Sequence, residues 1–139
     1  MSVRIVKSDK RLLGTWQSDR ARTAQLWGFK KGVRLTPKKR SEFFSIFGDL
    51  TWRFTKTRLY TQLADRESFR TYEILDADDR SVVLRLFEDR LKKSDRETFE
   101  ALGVGELLLG DHLQQIYFDG DDYIYVESSW NVEFFKRVV

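Results

Sequence analysis

From Leu50 to the end of the chain, apolar and polar residues mostly alternate with a period of two. Leu50, Trp52 and Phe54 interleave with Thr51, Arg53 and Thr55, the pattern of a half-buried strand. Arg58 to Leu63 forms the expected partner across a turn at Lys56-Thr57. Phe69 to Leu75 alternates through Tyr72 and Ile74, Asp76-Ala77-Asp78-Asp79 reads as a turn, and Val82, Leu84 and Leu86 mark the next strand. His112–Phe118 and Tyr123–Ser128 flank Asp119-Gly120-Asp121-Asp122, a hairpin signal, and Val132–Val139 closes the series.

The first part of the chain has a different rhythm. Leu12 to Ser18 reads as a first strand entered through Gly14, preceded by a lead-in over residues 1–10. Residues 19–49 form an expected helical insertion. Its first half is weakly patterned around Leu26, Trp27 and Phe29. Its second half carries Thr36 as a hydroxyl N-cap, Pro37 at the first helical position and Gly48 as a stop, so a helix is expected over 37–47. Between the strands ending at Leu86 and starting at His112, residues 89–111 read as a loop punctuated by Gly103, Gly105 and Gly110. Ser94-Asp95-Arg96-Glu97 fits a capping box for a short helix to about Leu102. Eight strand-like runs in hairpin order predict an all-β fold, an antiparallel up-and-down eight-stranded β-barrel with a helix between strands 1 and 2.

Composition narrows the class. The 139 residues fit one domain, 1–139, with eleven Phe, five Tyr and four Trp favouring strands over disorder. There is no cysteine, which removes disulfides, thiolate metal sites and a thiol nucleophile, and suits a reducing compartment. No uninterrupted apolar stretch suggests a secretory leader or a membrane helix, so a cytoplasmic location is expected. Charge is uneven: residues 1–40 hold twelve Lys/Arg against Asp9 and Asp19, and residues 41–139 hold thirteen against twenty acids, so +10 and −7 sum to the net +3. This asymmetry suits an anionic partner, or equally two faces of one molecule that attract each other.

Gly14-Thr15-Trp16 on the first strand and Phe135-Lys136-Arg137-Val138 on the last resemble the calycin superfamily, the lipocalins and their bacterial relatives. The helix and the phrase Phe47-Gly48-Asp49-Leu50-Thr51-Trp52-Arg53-Phe54 extend this similarity to bacterial uncharacterised lipocalin-like proteins over most of the chain. The resemblance implies a lipocalin-like barrel closed by a contact between the Trp16 indole and the Arg137 guanidinium, with Gly14, Trp16 and Arg137 as its structural signature. Physically, a planar cation over an indole contributes about 0.5–2 kcal/mol and shields the floor of a barrel. The late hairpin departs from the family's Thr-Asp-Tyr, carrying Asp121-Asp122-Tyr123 instead. The inserted helix, the 89–111 loop and the lack of cysteines and leader differ from a secreted transport protein.

Candidate chemistry is sparse. His112 is the single histidine, so a catalytic triad or a multi-histidine metal site is not expected, and no metal, cofactor or catalytic residue is assigned. Asp119-Gly120-Asp121-Asp122 lacks the flanking helices and twelfth-position glutamate of a calcium hand. Glu127 and Glu133 read as exposed strand acids. Trp52, Phe54, Tyr60, Tyr72, His112, Gln114, Tyr125 and Glu127 are the candidate lumen residues, aromatic walls with a few polar groups to orient a guest. Lys30, Lys31, Arg34, Lys38, Lys39 and Arg40 form a basic patch near Trp27 and Phe29, suited to nucleic acid or an anionic surface, or else a solvated face.

Two functions follow. One is binding of a small apolar or amphipathic molecule in the lumen. The other is an interaction module with a filled barrel, contacting a protein, nucleic acid or an anionic surface through residues 30–40. An enzyme is the least favoured reading, and the sequence leaves oligomeric state open.

Overall fold

A computed structural model describes residues 8–25, 36–64, 66–87, 97, 112–127 and 132–138. The strands are β1 (Gly14–Ser18), β2 (Thr51–Phe54), β3 (Arg58–Leu63), β4 (Arg66–Ala77), β5 (Ser81–Leu86), β6 (His112–Asp119), β7 (Tyr123–Glu127) and β8 (Val132–Arg137). Each pairs antiparallel with its sequence neighbours, and β8 returns to β1, closing an up-and-down barrel of eight strands. Two helices, α1 (Arg20–Gln25) and α2 (Pro37–Ile46), lie between β1 and β2.

The ladder registers set the width of the barrel. Trp16 pairs with Trp52, Trp52 with Thr61 and Thr61 with Ser68. Four residues further down β4, Tyr72 pairs with Leu86, which pairs with His112. Four residues down β6, Ile116 pairs with Val126, which pairs with Glu133; four residues down β8, Arg137 returns to Trp16. Three offsets of four give a shear of twelve residues. With ordinary strand spacing this corresponds to a tilt of about 46° and a backbone radius of about 9 Å, against about 7.6 Å for a shear of eight. The interior is therefore wider than one filled by strand side chains alone.

α2 supplies part of the filling. Phe43 and Phe47 stack at 5.0 Å, and Phe47 meets the inward ring of Phe135 edge-on at 5.4 Å. Phe135 in turn lies flat on Trp52, centroids 4.1 Å apart, and Trp52 and Tyr72 both meet Phe54 edge-on. The aromatic column thus runs from the crossover helix into the barrel. Leucine, isoleucine and valine from β3 to β7 (Leu59, Ile74, Val82, Leu84, Leu86, Ile116, Ile124, Val126) pack the same core. Gly48 ends the helical segment at a φ of +130°, which only glycine adopts without strain, and its N–H donates to Ser18 Oγ at 2.7 Å.

The two ends of the barrel differ. At one, the connections β2–β3, β4–β5 and β6–β7 each take three residues. Asp78 Oδ1 accepts from the N–H groups of Arg80 and Ser81, both at 2.8 Å, and Gly120 turns at a φ of +68°. At the other end the connections run to 32, 2, 25 and 4 residues. These ends are called the floor and the mouth.

Several expectations are adjusted. β4 continues through Asp76 and Ala77, with a register shift between Ile74 and Asp76, so the turn begins at Asp78. The weakly patterned stretch after Ser18 contains α1, capped by Asp19, whose Oδ1 accepts from Arg22 N–H at 2.9 Å. Thr23 of α1 is buried and its Oγ1 accepts from Phe134 N–H at 2.9 Å, docking the helix on β8. Arg22 lies 4.1 Å over the Tyr123 ring and pairs with Asp119. The expected helix at 94–102 falls outside the described residues, save Glu97, which is helical and exposed.

Candidate functional site

The floor is built around Arg137. It pairs with Trp16 across the closing ladder, and its guanidinium sits 4.1 Å over the indole. Its Nη2 donates to Arg11 O at 2.7 Å, its Nη1 to Leu13 O at 2.9 Å and its Nε to Asp121 O at 3.1 Å. One side chain from the last strand thus holds the lead-in, the first strand and the β6–β7 turn. The Trp16 indole N–H donates to Leu12 O at 2.9 Å, so this fully buried ring leaves no polar atom unsatisfied. Gly14 is required twice over. Its φ is +117°, and a Cβ there would lie 3.0 Å from Arg137 Nη1. Arg11, paired with Asp9 at 2.7 Å, covers the Phe118 ring at 4.4 Å. That pairing holds the Asp9 carboxyl below its usual range. Gly14, Trp16 and Arg137 therefore serve the seam.

Above the floor, the lumen is read from strand parity. Trp52 and Phe54 on β2 and Tyr72 on β4 point inward and are buried. Tyr72 spends its hydroxyl on the floor, donating to Thr55 O, and burial together with the Asp9 charge pushes its pKa up to about 12. Gln114 shares the row of Ile116 on β6, half-buried, with its Nε2 donating to Gln115 O at 3.0 Å. His112 opens β6 in register with Leu86, and its side chain lies outside the described residues.

Three of the expected lumen residues face the other way. Tyr60 lies on the outer surface of β3, under Arg53 at 4.0 Å and beside Phe69. Leu59 and Thr61 take the inward positions of that strand. Tyr125 stacks outside on Tyr117 at 4.9 Å and against Phe134, and Glu127 is exposed at the end of the same outward row. On β7 the inward row is Ile124 and Val126, because they pair with the inward Phe118 and Ile116.

Two inward charges were not anticipated. Glu133, read from the sequence as an exposed acid, is 1% exposed and shares the inward row of Phe135 and Arg137. Arg70 is 2% exposed and pairs with the inward Leu59. Three strands lie between β4 and β8 on either side of the barrel, so these two positions stand on opposite walls. Parity carried both signals. Stepping back by two from Tyr72 reaches Arg70, and stepping back from Arg137 through Phe135 reaches Glu133.

Arg70 stands in the row of Leu59 and Phe54, one inward step from a row that holds Thr61 and Trp52. Trp52 pairs with Thr61 on the neighbouring strand, and Thr61 lies one inward position from Leu59, the partner of Arg70. The Trp52 indole N–H is buried and finds no acceptor among the described residues. A buried donor left without an acceptor costs on the order of 1–3 kcal/mol, so such groups are uncommon in a settled core.

The basic patch lies partly outside the described residues, at Lys30, Lys31 and Arg34. Lys38 and Arg40 are exposed on the first turn of α2, and the side chain of Lys39 is outside the description. No acid stands in that first turn, so cations face the positive end of the helix dipole. A shallow cleft of about 300 Å³ lies at the seam between Gln17, Arg20, Gly48 and Lys136. Among the described residues no cluster of His, Cys, Asp or Glu could hold a metal ion, and no helix is long and apolar enough to cross a membrane. Comparison with protein-family models, with curated proteins and with solved structures finds no match to this chain.

Proposed function

We propose that this chain is a lipocalin-like carrier that holds a small amphipathic molecule in the lumen of its barrel, by binding and without catalysis. The observation that carries the reading is the inner wall. In a barrel of shear twelve, an apolar column is bordered by Arg70, Glu133 and Thr61 and by the unmatched indole N–H of Trp52. Wholly structural interiors hold few such groups, because each must be desolvated and matched by a partner. A lumen with apolar walls and a small number of polar groups is the ordinary composition of a small-molecule site. The Gly14, Trp16 and Arg137 floor and the long connections at the mouth support the lipocalin-like assignment. The absence of cysteine supports a reducing, cytoplasmic setting.

The test is thermal unfolding with octanol, octanoate and octylamine, backed by tryptophan fluorescence titration. A bound molecule raises the unfolding free energy by about 2.7 kcal/mol at a hundredfold excess over Kd. A saturable, one-to-one shift that disappears in Thr61→Phe, which fills the wall, is the expected result. Failure of all three probes to shift the transition would refute lumen binding, as would full retention of the shift in Thr61→Phe.

A further inference from the structure

We infer that the outer face of β2, β3 and β4 binds single-stranded nucleic acid, its arginines taking phosphates and its exposed ring stacking on a base. The face lies outside the barrel, and the reading does not depend on what the lumen holds. One ladder row carries Arg53, Tyr60 and Phe69 side by side on the three strands, and the next outward row carries Arg58 opposite Thr71. The Arg53 guanidinium lies 4.0 Å over the Tyr60 ring, and the Arg58 guanidinium 4.5 Å over the Phe69 ring. The two rings are 5.8 Å apart, and Arg58 Nη1 donates to the Tyr60 hydroxyl at 3.3 Å. Two cations and two rings thus form one contiguous patch, with Arg53, Arg58 and Phe69 exposed.

Charge selects the partner. Among the described residues no carboxylate pairs with Arg53 or Arg58, whereas Arg11 and Arg22, which also lie over rings, are each paired with an aspartate. No acid stands among the patch positions; on β4, Glu67 and Glu73 flank it, and Glu73 faces Arg85 across the next ladder. A guanidinium stacked on a ring spends its flat face there and keeps its N–H fork, at the edge, for phosphate oxygens. The Phe69 ring, 42% exposed, supplies the apolar plane on which a base of any sequence stacks. A duplex keeps its bases stacked on one another and away from such a ring. An anionic lipid surface takes up bare apolar projections, and here each ring carries a guanidinium over it. A single strand, with phosphates and unstacked bases together, answers both parts of the patch.

The experiment is fluorescence anisotropy of labelled oligo-dT and oligo-U of about sixteen nucleotides, titrated at low salt with the intact wild-type protein. Saturable binding is expected, weakening with salt by a log–log slope of about −0.7 for each phosphate neutralised. Arg53→Gln and Arg58→Gln each shallow that slope by about 0.7, while Phe69→Ala weakens binding at least about fivefold with the slope unchanged and Phe69→Tyr retains it. A preference between the two oligomers names the sugar and upholds the face. Absence of binding to both at low salt would overturn the proposal. So would binding that these variants leave intact, which would place it on another surface such as residues 30–40. Equal affinity for a duplex of the same length would overturn it in favour of a purely electrostatic contact, and binding to phosphatidylglycerol vesicles in place of any oligomer would overturn it in favour of a membrane.

Discussion

Replacing Arg137 by Met keeps most of the apolar stem and removes the guanidinium from the floor. Two of its bonds, to the carbonyls of Arg11 and Leu13, are part-buried, while the one to Asp121 is exposed. At about 1 kcal/mol net for each inner bond and about 1 kcal/mol for the cation over the indole, the loss comes to roughly 2–4 kcal/mol. Trp16→Leu costs a similar roughly 2–4 kcal/mol, because it opens space in the core and frees the Leu12 carbonyl. The two changes remove a shared contact, so their sum overstates the double mutant by about 1–2 kcal/mol. Urea unfolding followed by far-UV dichroism measures all four corners of the cycle, with the m-values checked for constancy. Additivity within about 0.3 kcal/mol would show that the stacked pair carries no energy of its own, and the account of the seam would fail.

Gly14→Ala meets both a positive φ and the Arg137 side chain, so a loss of about 2–3 kcal/mol is expected in the urea midpoint. In the Arg137→Met background the loss becomes smaller and stays above about 1 kcal/mol, since the backbone strain persists. Asp19→Ala removes the cap of α1 and lowers stability by about 1 kcal/mol, whereas Asp19→Asn is close to neutral in the same assay. Tyr72 titrates near 12 in the folded chain and near 10 when unfolded. Above pH 10 the unfolded chain releases the phenolic proton first, so stability falls between pH 10 and 12, by about 2 kcal/mol from this group. Tyr72→Phe flattens that part of the profile, and identical alkaline slopes for the two proteins would contradict the burial argument. Asp9, held low by Arg11, stabilises the fold at neutral pH and loses that contribution as pH falls through its depressed value. Asp9→Asn shallows the acid limb of the same curve.

The strands were legible because alternation is a direct print of the pleat, and the short floor turns left little room for other pairings. Pro37 and Gly48 bracketed α2 for equally local reasons. The seam was legible through the resemblance of Gly14-Thr15-Trp16 and the Arg137 strand to lipocalin-like sequences, and closure of the sheet, which makes the first and last strands neighbours, is consistent with it. The polar part of the lumen was read less well. Hydropathy favours Phe69 over Arg70 as an inward residue, yet the ladder puts Phe69 outside, 42% exposed with Arg58 over its ring, and Arg70 inside. Tyr60 and Tyr125 look like lumen aromatics but cover outer surface with arginine or other rings as partners. In a strand carrying aromatics on both faces, residue type does not set the phase; the register of the neighbouring strand does. α1 was hidden for another reason. Six residues are too few for a helical period to show, and its position is held by docking on β8 through Thr23.

The closing ladder between Gly14–Ser18 and Val132–Arg137 also bears on how the chain is made. During synthesis the first strand emerges more than a hundred residues ahead of its partner on that side, so one of its edges waits with bare amide and carbonyl groups. Contacts this distant in sequence are slow to form, and they set the folding rate more than they set stability. Until β8 is added, the edge of β1 that it covers is open to wrong partners, so the last strand guards the first as well as closing the barrel.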